Sequence, residues 1–144
     1  MHPYPHVYTV SATGAVSGSI AVASNGLPTL MTAAPREFDG PGDQWSPENL
    51  LCAALADCFI LTFRAIARAS KVEWLNIKCS VEGTLERAEG GAYFTRFITR
   101  AELMVSGGAD VERCRTLLEK AEHSCLISNS LRGTRTLEAN VVVQ

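Results

Sequence analysis

The chain has 144 residues, of which 47% are hydrophobic and 19% charged, and a formal net charge of −2; that is the composition of one globular domain with room for a core. Basic and acidic side chains are interspersed, so nothing points to nucleic acid or an anionic membrane as a partner. Five cysteines, an odd number with no CxxC spacing, argue against a secreted disulfide scaffold.

In chain order, residues 6–13 and 18–24 read as short strands. Asn25-Gly26 between apolar runs predicts a hairpin, and residues 30–33 a return strand that Pro28 delays or confines to an edge. A turn-rich charged loop follows, Pro35 to Asp43. It leads into the longest element, a helix over 47–70. Ser46 is a favourable N-cap, Pro47 suits the first helical position, and Glu48 places negative charge at the positive end of the dipole. Trp45 and Leu50 have the spacing of a hydrophobic staple.

From Leu50 to Ile66 this helix is apolar on almost every side. Leu51, Leu55, Cys58 and Thr62 share one stripe, and Cys52, Phe59, Phe63 and Ile66 the next. Such a helix is expected to be buried on most of its circumference. At 1.5 Å per residue it reaches roughly 37 Å, more than a domain of this size is thick, so a second subunit is an expected neighbour. Asp57, Arg64 and Arg68 interrupt the apolar run, which argues against a membrane span. The N-terminal MHPYPHVYTV lacks the basic and apolar regions of a secretory signal. The expectation is a soluble, cytoplasmic protein.

Beyond the helix, residues 74–87 alternate as a strand, Glu89-Gly90-Gly91 turns the chain, and residues 93–106 return with Phe97, Thr99, Ala101, Leu103 and Val105 on the core face. Asp110 caps a helix over 111–122 with Val111, Cys114, Leu117, Leu118 and Ala121 inward. Residues 123–133 read as a polar loop, and 134–143 as a last strand. The order βββ-α-ββ-α-β describes a single α+β domain over residues 1–144.

The cysteines divide by context. Cys52, Cys79 and Cys114 sit on apolar faces, where a free thiol behaves as a small hydrophobe. Cys58 adjoins Asp57 within the apolar helix, and an acid there needs a partner or water. Cys125 follows the second helix in a loop where a sulfur can move. From the residues alone Cys58 is either a further core thiol or a reactive one. His123 and Cys125 also raise a zinc site, but their spacing matches no familiar ligand pattern.

SPENLLCAALADCF resembles the helix opening of the OsmC/Ohr family, in which an Asn/Ser-Pro-Glu start precedes Leu and Ala and ends in Cys-Phe. AEHSCLISNSL is similar to the family's second motif, and Pro35-Arg-Glu-Phe with its Gly-rich loop resembles the segment before the helix. The likeness extends over nearly the whole chain. It implies an intertwined homodimer and a thiol peroxidase acting on organic hydroperoxides without a cofactor or metal. On that pattern Cys58 matches the peroxidatic cysteine, Cys125 the resolving cysteine, and Glu48 the acid that steadies an arginine. An external dithiol, including lipoyl-type ones, is the implied reductant. Leu126 stands where the family usually has Pro, and Asp57 where its peroxidases carry a small residue. No Arg precedes Arg36, although the organic-hydroperoxide branch holds one in the N-terminal hairpin.

A thiol peroxidase needs a thiolate, a donor for the leaving alkoxide and a second thiol. Cys58 is too far along its helix for that helix's N-terminus to act on it, and an apolar setting raises its pKa. A nearby cation is therefore expected. Arg36, Arg132, Arg135 and His123 are the candidates, with Arg36 preferred for its place upstream of Glu48. Glu48 and Cys58 lie roughly 15 Å apart along one helix, so a shared site requires antiparallel helices of two subunits. The contrasting reading is a non-catalytic dimer that binds a small apolar ligand between subunits.

Overall fold

A computed structural model describes all residues, Met1–Gln144, and shows an α+β protein. It falls into two compact units, Met1–Leu50 and Leu51–Gln144.

The N-terminal unit holds an antiparallel sheet of β1 (Ser11–Thr13), β2 (Ile20–Ala23) and β3 (Leu30–Thr32). Asn25 and Gly26 occupy a turn closed by the Leu27 N–H on the Ser24 carbonyl at 3.1 Å, with Gly26 at φ +78°. A side chain is strained at that φ, which is why Gly stands there. The third strand starts only after Pro28, as expected. The first is shorter than residues 6–13: its ladder begins at Ser11↔Ala23, and Val7, Tyr8 and Val10 find no strand partner and stay exposed. Residues Arg36–Phe38 form a 3₁₀ turn within the loop expected to be rich in turns. Trp45 bridges to Thr32, and Ser46 Oγ accepts from the Asn49 backbone N–H at 3.1 Å, capping the long helix as the sequence predicts.

That helix, α1, spans Pro47–Ala69. It is long and apolar enough to cross a membrane by length and composition, so the interrupting charges do not make it too short. A different use of its apolar surface is visible in the C-terminal unit. Leu55, Phe59, Phe63 and Ala67 form one i, i+4 stripe that is fully buried, whereas Leu61 on another side is exposed. Burial therefore covers one stripe within the chain rather than most of the circumference.

Phe59, Phe63 and Ala67 pack with Ala101, Leu103 and Val105 of the second sheet and with Cys114, Leu117, Leu118 and Ala121. This sheet comprises β4 (Asn76–Ala88), β5 (Gly91–Val105) and β6 (Thr134–Val143), antiparallel then parallel. The five β5 residues assigned to the core face are the buried ones, because a strand shows alternate side chains to one face. Helix α2 (Val111–Ser124), capped by Asp110 Oδ1 on the Arg113 N–H at 3.0 Å, carries the chain back to a parallel β6. It runs two residues further than the sequence suggests. Residues 123–133 are not a plain loop: Leu126–Asn129 form a short helix, α3.

Gly83 in β4 is a close approach. A Cβ there would lie 2.9 Å from Cys52 Sγ and 3.0 Å from the Phe94 ring, so only glycine lets α1 settle on the strand at that point.

Candidate functional site

Two cysteines from distant parts of the chain meet in the C-terminal unit. Cys58 projects from the middle of α1 and is half-buried; Cys125 is fully buried at the junction of α2 and α3. The two thiols are near enough for each to shift the other's pKa. Both are free. Cys125 is therefore not the loop residue the sequence suggested. It forms the N-cap of α3, and its carbonyl accepts the Asn129 N–H at 3.0 Å.

Helical periodicity gives Cys58 one of its other neighbours. Thr62 is four residues on, and its hydroxyl lies 3.8 Å from the Cys58 sulfur. The rest come from α3, whose first backbone N–H groups have no intrahelical acceptor. Burial pushes the Cys58 thiol up, but donation from the Ile127 N–H, then from Cys125, Thr62 and the Leu126 N–H, outweighs it. The net effect holds Cys58 below the usual thiol range. Cys125 moves the other way, because burial dominates and its hydrogen bond to Cys58 favours the protonated form, against donation from Ser128. The pair is thus asymmetric, with Cys58 shifted toward the thiolate and Cys125 toward the thiol.

The remaining thiols are pushed up. Burial raises Cys52 and Cys114, and burial together with the negative charge of Glu122 pushes Cys79 up to about 12. Iodoacetamide should accordingly label Cys58 first. Its rate should rise through a midpoint below that of free cysteine, because a depressed pKa leaves thiolate present at lower pH. Peptide mapping after brief labelling checks this; Cys79 or Cys114 as the first product would contradict it.

The interactions that lower Cys58 are hydrogen bonds, and no cation is among them. Three of the cations weighed from the sequence are engaged elsewhere. The Arg132 guanidinium lies 4.2 Å from the Tyr93 ring centroid, Arg135 pairs with Glu122 at 2.9 Å, and His123 Nδ1 meets the Glu119 carbonyl at 2.9 Å. Arg36 belongs to the N-terminal unit, where its side chain lies over Gly42. Glu48 Oε2 is buried without a hydrogen-bond partner, and the four ion pairs involve neither Arg36 nor Glu48. No group of three or more His, Cys, Asp or Glu side chains converges as a metal site.

Thr62 could have been found from the sequence, since it shares a stripe with Cys58. The α3 amides and Ser128 could not, because the Ser- and Asn-rich segment carries no helical periodicity long enough to read.

Known proteins resemble the chain over most of its length. It is 33% identical over 136 residues to an organic hydroperoxide resistance protein of Xanthomonas axonopodis pv. citri, covering 91% of this chain and 92% of the relative. It is 31% identical over 113 residues to an uncharacterized protein, YmaD, of Bacillus subtilis, covering 76% and 75%. An OsmC-like protein of unknown function from Vibrio cholerae has the same fold, with a TM-score of 0.86 over 94% of this chain and 99% of that one at 18% identity. The OsmC-like protein family profile matches residues 40–140, and the chain belongs to that family.

Proposed function

We propose that this chain is a cysteine-based hydroperoxide reductase in which Cys58 attacks an organic hydroperoxide and Cys125 resolves the product. The observation that carries the reading is the nearness of these two thiols, which shift each other's pKa, with Cys58 half-buried and Cys125 fully buried. The name of the Xanthomonas relative supports an organic hydroperoxide as substrate.

The chemistry balances with these groups and an external dithiol. The Cys58 thiolate attacks the terminal oxygen of ROOH; an S–O bond forms as the O–O bond breaks, and the alkoxide takes a proton and leaves as ROH. Cys125 sulfur then attacks the Cys58 sulfenic acid, forming the S–S bond and releasing water. The dithiol returns two electrons and two protons, itself becoming a disulfide. Leu126 and Ile127 N–H groups stabilise the thiolate before attack.

The test is to mix reduced protein with cumene hydroperoxide, titrate free thiols and map the product by mass. Loss of two thiols with a Cys58–Cys125 bridge is expected. No thiol loss would overturn the reading and favour a dimer that binds a small apolar ligand.

Glu48 and Arg36 enter through the assembly. Glu48 and Cys58 stand roughly 15 Å apart along α1, so a site containing both takes the partner subunit's Glu48 from an antiparallel helix. Exposed Val7, Tyr8, Val10 and Leu61 are apolar surface that such a homodimer would cover. The partner subunit's Glu48, with one carboxylate oxygen unpartnered within its own chain, then steadies the partner's Arg36 as the cation that the assembly brings to the thiolate. Light scattering at micromolar concentration should give a dimer; a monomer would remove the shared site.

A further inference from the structure

Cys125 lies between two backbone segments held by one guanidinium. Arg135, the second residue of β6, places Nε 2.9 Å from Glu122 Oε1 and donates through Nη2 to the Glu122 carbonyl. Its Nη1 donates to Asn129 Oδ1 at 2.7 Å. Asn129 in turn donates through Nδ2 to the His123 carbonyl at 3.1 Å. The carbonyls of Glu122 and His123 belong to the last turn of α2, where no intrahelical donor remains for them. Asn129 is the last residue of α3. The network therefore ties the end of α2 to the end of α3 and to the sheet, on both sides of Cys125. Glu122 is only 8% exposed, so its charge needs the Arg135 partner.

We propose that Arg135 is a positioning residue that fixes the α2–α3 turn, and with it the approach of Cys125 sulfur to Cys58. The inference rests on the two-cysteine reading for its catalytic consequence, but not for its geometry. A planar guanidinium serves three acceptors on two segments at once; a lysine ammonium keeps the charge beside Glu122 but not that fork. Without the fork Asn129 loses its tie to the sheet, and the turn samples positions in which the thiols are apart. Effective concentration of one thiol at the other falls accordingly.

Two readouts separate this role from general destabilisation and from failure of the peroxidase reading. The first is the equilibrium of the Cys58–Cys125 disulfide against glutathione, which requires no peroxidase activity. Arg135→Lys should lower that equilibrium constant by about tenfold or more, since the fork and not the charge sets the geometry. The second is the fate of Cys58 after one equivalent of cumene hydroperoxide. Arg135→Lys should accumulate sulfenic acid, trapped by dimedone, where the unaltered protein gives disulfide. Asn129→Ala removes only the α3 link and should shift both readouts the same way; it decides the matter if Arg135→Lys does not fold. In the double variant the second substitution should add little, as both cut one chain of contacts. A folded variant with an unchanged glutathione equilibrium would overturn the proposal. A changed equilibrium in a protein whose Cys58 ignores peroxide would uphold it while rejecting the peroxidase.

Discussion

Cys58→Ser is expected to abolish peroxide consumption, and Cys125→Ser to change its course rather than its first step. In the first variant no remaining thiol combines a depressed pKa with a partner sulfur: Cys52, Cys79 and Cys114 are all shifted toward the protonated form, and Cys125 is fully buried. Loss of the nucleophile should remove on the order of a thousandfold or more of the rate, because a serine hydroxyl is not ionised near neutral pH. In Cys125→Ser, Cys58 can still attack once. The protein should gain the mass of one oxygen under limited peroxide and over-oxidise in excess, since the resolving sulfur is missing. Turnover should return only with an added small thiol such as dithiothreitol. Stopped-flow peroxide loss and intact mass follow both steps. Full turnover of Cys125→Ser with the same dithiol, or a Cys58→Ser protein as fast as the parent, would end the two-cysteine mechanism.

The largest stability effect is expected at Phe63. Its side chain is fully buried, sits within the cluster joining α1, β5 and α2, and meets the Trp74 ring edge-on at a centroid distance of 5.6 Å. Phe63→Ala removes that aromatic contact and leaves a cavity that a sheet and two helices cannot fully close, so unfolding free energy should fall by about 3–5 kcal/mol. Urea unfolding followed by circular dichroism, with an unchanged slope, measures this. A loss below about 1 kcal/mol would mean that the stripe is not the core contact that seats α1. Because Phe63 is nearly one and a half turns beyond Cys58, a loosened α1 should also slow formation of the disulfide.

What the sequence determined by itself was the set of elements and their faces. Alternation in β5 identified its five buried residues, the caps at Ser46 and Asp110 marked where α1 and α2 start, and Pro28 delayed the third strand. These are local rules, in which a residue's neighbours along the chain decide its conformation. The N-terminal strand was overestimated because a strand needs a paired partner, which composition cannot supply. Motifs in the chain also singled out Cys58 and Cys125. Only the tertiary structure decided their surroundings. It buries Cys125 at the cap of a helix too short for periodicity to reveal, aims the amides of that helix at Cys58, and so lowers its pKa by hydrogen bonding where the sequence called for a cation. It also commits Arg135 to Glu122 and Asn129, and Arg132 to Tyr93. The physical reason is range: caps and alternation act over a few residues, whereas a pKa is set by whatever dipoles and burial the fold brings to the sulfur, however distant in the chain.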